Sequence, residues 1–208
     1  MGIYYNRNDS TYTITAIDNI IETTVTKSGK VAANWVDEIL LAHDSRLRYQ
    51  IVGLDLEWCP NTLYGTRGEN PVALIQLCVG RRCLIFQLLF CDFIPDKLRN
   101  FLKDARFRFA GVGIKEDADK LVRGYGLEIE NLVDLRDLAV EQLEKRAMRQ
   151  WGLKNLVKEV MGVQMEKPRT VALSHWGNCK LSTEQIEYAT VDAFASFEVG
   201  RRLYARDF

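Results

Sequence analysis

The order of apolar and polar positions divides the chain into a short N-terminal segment and a longer core region. Alternating apolar and polar residues are typical of strands, whereas apolar residues at three- and four-residue spacing are typical of helices. In the first segment these patterns predict strands over Tyr12–Ile17 and Glu22–Thr26 and a helix over Asn34–Ala42. We therefore interpret residues 1–48 as an N-terminal extension packed on or next to a core domain formed by residues 49–208.

The core region opens with three apolar runs. Gln50–Trp58 (QIVGLDLEW) is predicted to be a strand and is followed by a loop rich in Gly, Asn and Pro, Cys59–Pro71. Two further strands are predicted over Val72–Val79 and Arg82–Gln87. The two residues between them, Gly80-Arg81, predict a tight hairpin.

After this hairpin the pattern alternates between helix and strand. It predicts helices over Pro95–Lys103, Glu116–Gly124, Asp137–Arg146 and Leu153–Met161, strands over Arg108–Gly113 and Leu132–Asp134, and a last helix from Ser182 toward Tyr204. Ser182 and Gln185 have the spacing of a capping box at the start of that helix. Three adjacent strands followed by alternating helices and strands indicate an α/β fold with a mixed sheet flanked by helices.

Composition narrows the class of protein. The 28 Lys and Arg residues balance 28 Asp and Glu residues, which argues weakly against a protein that coats nucleic acid through bulk positive charge. No apolar stretch approaches the ~20 residues that span a bilayer, and the N-terminus lacks the apolar core of a signal peptide. We therefore expect no membrane partner and a nuclear or cytosolic location. The five cysteines form no C-x-x-C pair, so we expect reduced thiols.

Two carboxylates interrupt the first apolar run of the core. Asp55 and Glu57 are two positions apart on a predicted strand, so their side chains project from the same face. Burying both is costly unless a cation joins them, and their hard oxygen atoms select Mg²⁺ or Mn²⁺ over zinc. For this pair alone, a solvated edge strand is the simpler interpretation.

A third carboxylate follows a glycine-containing turn. The segment GVGIKED places Asp117 in the first turn of a predicted helix. The helix dipole favours an acidic residue at this position, so capping alone would explain Asp117.

The last long helix carries the segment YATVD. Tyr188 and Asp192 are four residues apart, so the phenol and the carboxylate lie on the same face of the helix. A core tyrosine bonded to an aspartate one turn away would explain this pair as well. The three features together are far more specific than any one of them.

Together these segments resemble the DEDD 3′→5′ exonucleases, in the subgroup that carries a tyrosine. D-x-E at Asp55, an aspartate after G-V-G-I at Asp117, and Y-A-x-x-D-A from Tyr188 match the three motifs of that family. The resemblance is greatest to the Werner-type exonuclease domains and their plant relatives, with ribonuclease D more distant. It covers about Val52 to Leu203 and extends to the segments VALIQLCV, AGVGIKED, LKNLVKEVMG and LSTEQIEYATVDAFASF.

The resemblance implies a ribonuclease-H-like fold, with a mixed sheet in the order 3-2-1-4-5, and a two-metal site. Asp55 would bridge two Mg²⁺ or Mn²⁺ ions, Glu57 and Asp192 would complete the first site, and Asp117 would hold the second through water. Tyr188 would orient the attacking water. The four carboxylates would be offset by the two divalent ions, so the metal-loaded chain would be effectively positive toward a phosphate end.

Several other residues are candidates for contact with a nucleic acid. A basic segment, Lys145–Lys158, contains a tryptophan, although a solvated helix face is the simpler interpretation of it. The candidate contacts are Leu56, Trp58, Arg149, Trp151 and Lys154. The resemblance also has a departure, because Asp119 stands where Werner-type domains carry an aromatic residue, and an added acid repels phosphate. His175 lies 13 residues before Tyr188, outside the third motif, so we interpret it as a loop residue.

Two functions of different classes follow from this pattern. The first is a metal-dependent 3′→5′ exonuclease that acts on DNA, with RNA as the variant substrate. The second is a scaffold or nucleic-acid-binding module with weak or no activity, in which the N-terminal extension makes a homo-oligomer. The intact set of five motif residues favours the enzyme. By resemblance, a helicase or repair protein is the expected partner.

Overall fold

A computed structural model describes residues 2–6, 11–42, 50–59 and 70–208, which form a single eight-stranded sheet covered by helices. The strands are β1 (Gly2–Asn6), β2 (Thr11–Ala16), β3 (Asn19–Thr26), β4 (Gln50–Trp58), β5 (Val72–Val79), β6 (Arg82–Phe86), β7 (Phe107–Gly111) and β8 (Leu132–Asp134). The helices are α1 (Gly29–Ala42), α2 (Asp96–Leu102), α3 (Ile114–Tyr125), α4 (Leu135–Leu143), α5 (Leu153–Met161), α6 (Arg169–Ala172) and α7 (Thr183–Ala205). No helix in these ranges is both long and apolar enough to cross a membrane.

The sheet confirms the predicted α/β class and strand order. Its order is β1-β2-β3-β6-β5-β4-β7-β8. The five strands of the core domain, taken in chain order, therefore lie as 3-2-1-4-5. Strand β5 is antiparallel to both β4 and β6, whereas β7 runs parallel to β4 and to β8. This arrangement makes β4 the middle one of the five core strands.

Most predicted elements are present, with shifted ends. Strands β4, β5 and β8 have the predicted bounds, and the hairpin residue Gly80 has φ of 60°, as a tight turn between β5 and β6 requires. Helix α1 begins at Gly29, five residues before the predicted Asn34. The pattern missed β1 and the four-residue helix α6. The predicted loop Cys59–Pro71 lies largely outside the described residues.

The expectation of reduced thiols was wrong for one pair of cysteines. Cys78 and Cys83 are linked by a disulfide across the hairpin between β5 and β6. Their Cα atoms are 4.2 Å apart because the two residues are direct partners in the antiparallel register. The two-residue turn therefore brings together thiols that are five positions apart in the sequence, a spacing outside the C-x-x-C pattern. Cys59, Cys91 and Cys179 are free.

The N-terminal strands extend the same sheet. Strand β3 pairs with β6 in parallel, and β2 and β1 follow outward as antiparallel partners. A buried hydrogen bond of 3.1 Å joins the Thr23 and Thr190 hydroxyl groups, and so links β3 to α7. Thr190 also donates to the Ile186 carbonyl within its own helix. The extension therefore contacts the helix that carries the third sequence motif.

Helix α7 packs closely on the centre of β4, and a glycine makes this approach feasible. A Cβ atom at Gly53 would lie 2.0 Å from the Ala193 carbonyl oxygen and 2.5 Å from the Phe197 nitrogen. Both are backbone atoms of α7, so the helix itself would have to move. Gly53 thus sets the distance between the strand and the helix that carry the candidate carboxylates.

We predict that Gly53→Ala destabilises the protein by about 3 kcal/mol or more, at the upper end of the range for overpacked cores, because the added methyl group meets rigid backbone. Gly124→Ala is the matched control. Its Cβ would meet nothing within 4 Å on α3, and alanine in an exposed helix interior stabilises by about 0.5–1 kcal/mol relative to glycine. Urea unfolding of both variants measures the change in the free energy of unfolding, which should have opposite signs in the two proteins. A Gly53→Ala protein as stable as the wild type would contradict the close packing of α7 on β4.

Candidate active site

The candidate site begins at the alternating side chains of β4. Asp55 and Glu57 project from the same face as Gly53, toward α7, whereas Leu54 and Leu56 point into the opposite core. Glu57 is only 8% exposed, and Asp55 is half-buried. The strand thus presents two carboxylates at a largely buried position in the middle of the sheet.

Helix α7 supplies the third carboxylate. The helix begins with the predicted capping box, in which Ser182 and Gln185 exchange side-chain and backbone hydrogen bonds. Six to ten residues later it presents Tyr188 and Asp192, which are 7% and 1% exposed. One carboxylate oxygen from each of Asp55, Glu57 and Asp192 lies within 4.8 Å of the other two. The structure therefore brings the first and third sequence motifs together.

Burial and mutual repulsion make this cluster costly. Burial, followed by the charge of Asp192, raises the pKa of Asp55 well above its ordinary value. Burial and the neighbouring Asp55 raise the pKa of Glu57 to about 10. The pKa of Asp192 is also raised by burial, although a nearby lysine opposes the effect. Each carboxylate is thus unfavourable in its charged form unless positive charge is close by.

The positive charge comes from Lys167, which the sequence analysis missed. Its Nζ lies 2.6 Å from Asp192 Oδ2 and 5.3 Å from the centre of the Tyr188 ring. The lysine belongs to the segment between α5 and α6, within the sequence MEKPRT. No helical or strand spacing relates it to the motifs, so its position depends on the tertiary fold alone.

Tyr188 lies beside the carboxylates in an aromatic environment. Its ring centroid is 5.9 Å from that of Trp176, whose indole nitrogen donates to the Ala172 carbonyl. Burial raises the pKa of the Tyr188 phenol, so the hydroxyl keeps its proton at neutral pH. His175 lies in the loop before α7, where its carbonyl accepts a hydrogen bond from Gln185.

Asp117 lies in the first turn of α3, next to the three-carboxylate cluster but outside it. The preceding Gly113 has φ of 71°, and its N–H donates to Asp134 Oδ2 at 3.1 Å. Arg136 holds the same Asp134 carboxylate, with its Nη2 2.6 Å away. Burial raises the pKa of Asp117 to about 6, although the positive charge of Lys120 lowers it. The turn is therefore held by an ion pair that the sequence analysis did not identify.

A buried glutamine on β5 adjoins the cluster. Gln76 is fully buried and is the direct cross-strand partner of Asp55. Neither polar atom of its amide has a hydrogen-bond partner among the described residues. A buried amide without partners costs about 1–3 kcal/mol, and its two polar atoms are available to a ligand beside Asp55. The only sequence signal is a polar residue within the apolar run VALIQLCV.

The donor atoms fit a hard divalent cation. They are carboxylate oxygens, the atoms that Mg²⁺ and Mn²⁺ prefer in proteins. Asp192 Oδ1 is buried with no hydrogen-bond partner in the described part of the chain, so it is available to a ligand. A cation within the cluster would favour the charged carboxylates, whose pKa values are raised chiefly by burial and, for Asp55 and Glu57, also by the neighbouring carboxylates.

The five candidate contacts for a nucleic acid lie in different environments. Trp58, at the end of β4, is 38% exposed, and Lys120 Nζ lies 3.7 Å from its ring centre. Leu56 is only 2% exposed, and its side chain packs in the core. Arg149 is exposed, and its Nε lies 3.9 Å from Asp137 Oδ1. Trp151 packs partly against a core cluster, and Lys154 is exposed on α5.

Comparison with known proteins identifies related sequences over most of the chain. A family model described as 3′-5′ exonuclease matches residues 30–205. The bifunctional 3′-5′ exonuclease/ATP-dependent helicase WRN of Mus musculus is 36% identical over 154 residues, which are 74% of this chain and 11% of the mouse protein. A 3′-5′ exonuclease of Arabidopsis thaliana is 33% identical over 148 residues, 71% of this chain and 50% of that protein. The chain thus spans half or less of the length of these relatives.

A solved structure supports the fold. The RNase D of Escherichia coli, an exoribonuclease involved in structured RNA processing, has a TM-score of 0.70 and 20% sequence identity to this chain. The match covers 88% of this chain and 44% of the bacterial one. This level of identity supports the ribonuclease-H-like architecture alone.

We predict that the metal-free protein loses stability as the pH rises. The pKa of Glu57 is about 10 in the folded chain against 4.5 in its unperturbed state, so between these values the folded state binds more protons. Glu57→Gln removes the contribution of this residue to the pH dependence, whereas the other carboxylates keep theirs. In EDTA at pH 8 the variant should therefore unfold about 2–4 °C above the wild type, the shift that ~1 kcal/mol produces in a chain of this length.

Thermal unfolding followed by circular dichroism between pH 5 and 9 measures this effect. Addition of Mn²⁺ should raise the unfolding temperature of the wild type more than that of Glu57→Gln. A variant that unfolds below the wild type at pH 8 in EDTA would contradict the electrostatic account.

Proposed function

Because the chain belongs to the 3′-5′ exonuclease family, we propose that it releases nucleotides from nucleic-acid 3′ ends in a reaction that depends on two Mg²⁺ or Mn²⁺ ions. The observation that carries the proposal is the approach of Asp55, Glu57 and Asp192 to within 4.8 Å, at a buried site. Three charged carboxylates at such a distance serve no packing purpose. They are, however, a suitable ligand set for a divalent cation.

Each motif residue has a proposed role. Asp55 would hold both ions, Glu57 and Asp192 would complete the first site, and Asp117 would hold the second through water. When bound, the ions supply a water of lowered pKa and charge stabilisation for the scissile phosphate and the departing 3′ oxygen. Tyr188 would orient the attacking water through its hydroxyl group, which burial keeps protonated.

The separate position of Asp117 supports its assignment to the second ion. It lies at the start of α3, outside the group formed by the other three carboxylates, yet its charge still contributes to the raised pKa of Asp55. The Asp134–Arg136 ion pair holds the Gly113 turn in place before α3. Asp117 is thus near enough to interact electrostatically with Asp55, the residue that would be shared by both ions.

Trp58 and Lys120 form the proposed contact for the terminal nucleotide. Trp58 is the last residue of β4 and directly follows Glu57. The Lys120 ammonium over its ring adds a positive charge at this end of the strand. An exposed aromatic ring stacks on any base, and the ammonium attracts phosphate. Asp119, which is exposed on the same helix as Lys120, would repel phosphate and so weaken this contact.

We propose DNA as the favoured substrate and RNA as the variant. Sequence identity is higher to the mouse WRN protein than to the bacterial exoribonuclease, which shares the fold. A helicase or repair protein is the proposed partner that would supply 3′ ends, and the nucleus or cytosol is the proposed location. The helicase named in the mouse relative supports this partner class.

We also propose a homo-oligomer formed through the N-terminal extension. Strand β1 is the outermost strand of the described sheet, and an unpaired strand edge can pair with a second copy. Sedimentation velocity of the full chain at increasing concentration should show a dimer or larger particle. A monomer at every concentration would contradict this proposal.

We predict that Asp55→Asn lowers Mg²⁺-dependent release of nucleotides by at least about 10³-fold, because a shared ligand has no substitute and charge stabilisation of this kind is worth that much. The assay uses 5′-labelled single strands, recessed duplexes and RNA of one sequence, in Mg²⁺, Mn²⁺ and EDTA. Wild-type protein should shorten DNA faster than RNA and should be inactive in EDTA.

Asp37→Asn is the matched control, since it makes the same chemical change away from the carboxylates. Asp37 lies on α1 and forms an ion pair with Lys97 of α2. This variant should retain wild-type rates. Unchanged turnover in Asp55→Asn would refute the assignment of the site. Wild-type protein that shortens no substrate but still binds single strands would favour the scaffold function.

A further inference from the structure

The contact between Lys167 and the carboxylate cluster has a consequence for how the site exchanges its cations. Lys167 Nζ lies 2.6 Å from Asp192 Oδ2, at the residue that would complete the first metal site. Resting on the proposed function, we propose that Lys167 is the resident counter-ion of the metal-free site, and that a divalent cation displaces its ammonium group. Lysine and metal would then compete for the same carboxylates.

The competition follows from charge. The ammonium at Asp192 provides the positive charge that three carboxylates within 4.8 Å require in the absence of metal. A divalent ion on Asp192 and Asp55 supplies that charge itself, and it repels a second cation at hydrogen-bond distance. The Lys167–Asp192 contact therefore belongs to the metal-free state, whereas the loaded state requires the side chain to move.

The chain around Lys167 allows the side chain to move while its backbone stays in place. Two residues earlier, Met165 is buried with 2% exposure and anchors the segment in the core. The following Pro168 has a fixed φ and begins α6 as its N-cap residue. The Lys167 side chain itself is 33% exposed, so one end of it already reaches solvent.

A neighbouring cavity provides space for the displaced side chain. It has a volume of about 180 Å³ and lies against the ring of Tyr188 and the residues on either side of Lys167, Glu166 and Pro168. Glu184 and Glu187 of α7 also line it. A displaced side chain would thus have space beside the site, and glutamates are among the residues that line this space.

Lys167→Met tests the exchange by metal binding, without an activity assay. The methionine fills similar space and cannot compete, so titration calorimetry should show Mn²⁺ bound at least about tenfold more tightly than by wild type, the size of effect that one adjacent charge has on a carboxylate. Lys167→Arg keeps the charge and should bind Mn²⁺ within about threefold of wild type, as expected for a retained competitor.

Lys180→Met is the matched control, because it removes an exposed lysine for which the described residues show no ion pair. Its affinity for Mn²⁺ should equal that of wild type. A Lys167→Met protein that binds Mn²⁺ no more tightly than wild type would overturn the proposal. If this variant folds only with metal, the Mn²⁺ concentration that folds it gives the same comparison.

Chemical labelling of the wild-type protein tests the displacement directly. Lysine acylation followed by mass spectrometry should modify Lys167 faster in Mn²⁺ than in EDTA, whereas Lys180 should react at one rate in both. Equal labelling of Lys167 in the two conditions would overturn the proposal. These readouts are separate from the proposed function: a chain without exonuclease activity could still show the exchange, and an active exonuclease could lack it.

Discussion

The repulsion among buried carboxylates is the constraint on which the rest of this structure depends. Asp55, Glu57 and Asp192 lie close together because α7 packs directly on β4, and Gly53 is the residue that permits this approach. The fold therefore stabilises an arrangement that its own electrostatics oppose. A nearby cation stabilises the charged carboxylates, whether it is an ammonium group of the chain or a divalent metal ion.

The surrounding elements hold this arrangement from several sides. The Thr23–Thr190 hydrogen bond connects the N-terminal extension to α7, one turn or less from the tyrosine and the aspartate of the third motif. On the other side, the Asp134–Arg136 ion pair fixes the turn before Asp117. Residues from both ends of the chain thus contribute to the position of the site. The extension is therefore connected, through α7, to the elements that hold the carboxylate cluster.

The sequence predicted the parts of the structure that follow from local pattern. The alternation in Gln50–Trp58 correctly placed two carboxylates on one face of a strand, and the capping box correctly marked the start of α7. Lys167 and Gln76 were missed because their contacts arise only when separate segments meet. The Cys78–Cys83 disulfide lies within the predicted hairpin, and it was missed because only C-x-x-C spacing was considered. Leu56 is a predicted substrate contact, and the alternation of β4 directs its side chain into the core.

Strand β4 also restricts how this protein can vary in evolution. Val52, Leu54 and Leu56 pack in one core cluster. The alternate positions Gly53, Asp55 and Glu57 carry the glycine and the two carboxylates that face α7. Inserting or deleting one residue before Asp55 would exchange the two faces, placing charge in the core and leucine in the site. Substitutions at single positions can be compensated, but a change of strand length cannot. We therefore expect relatives to differ in the residues of this strand far more readily than in its length.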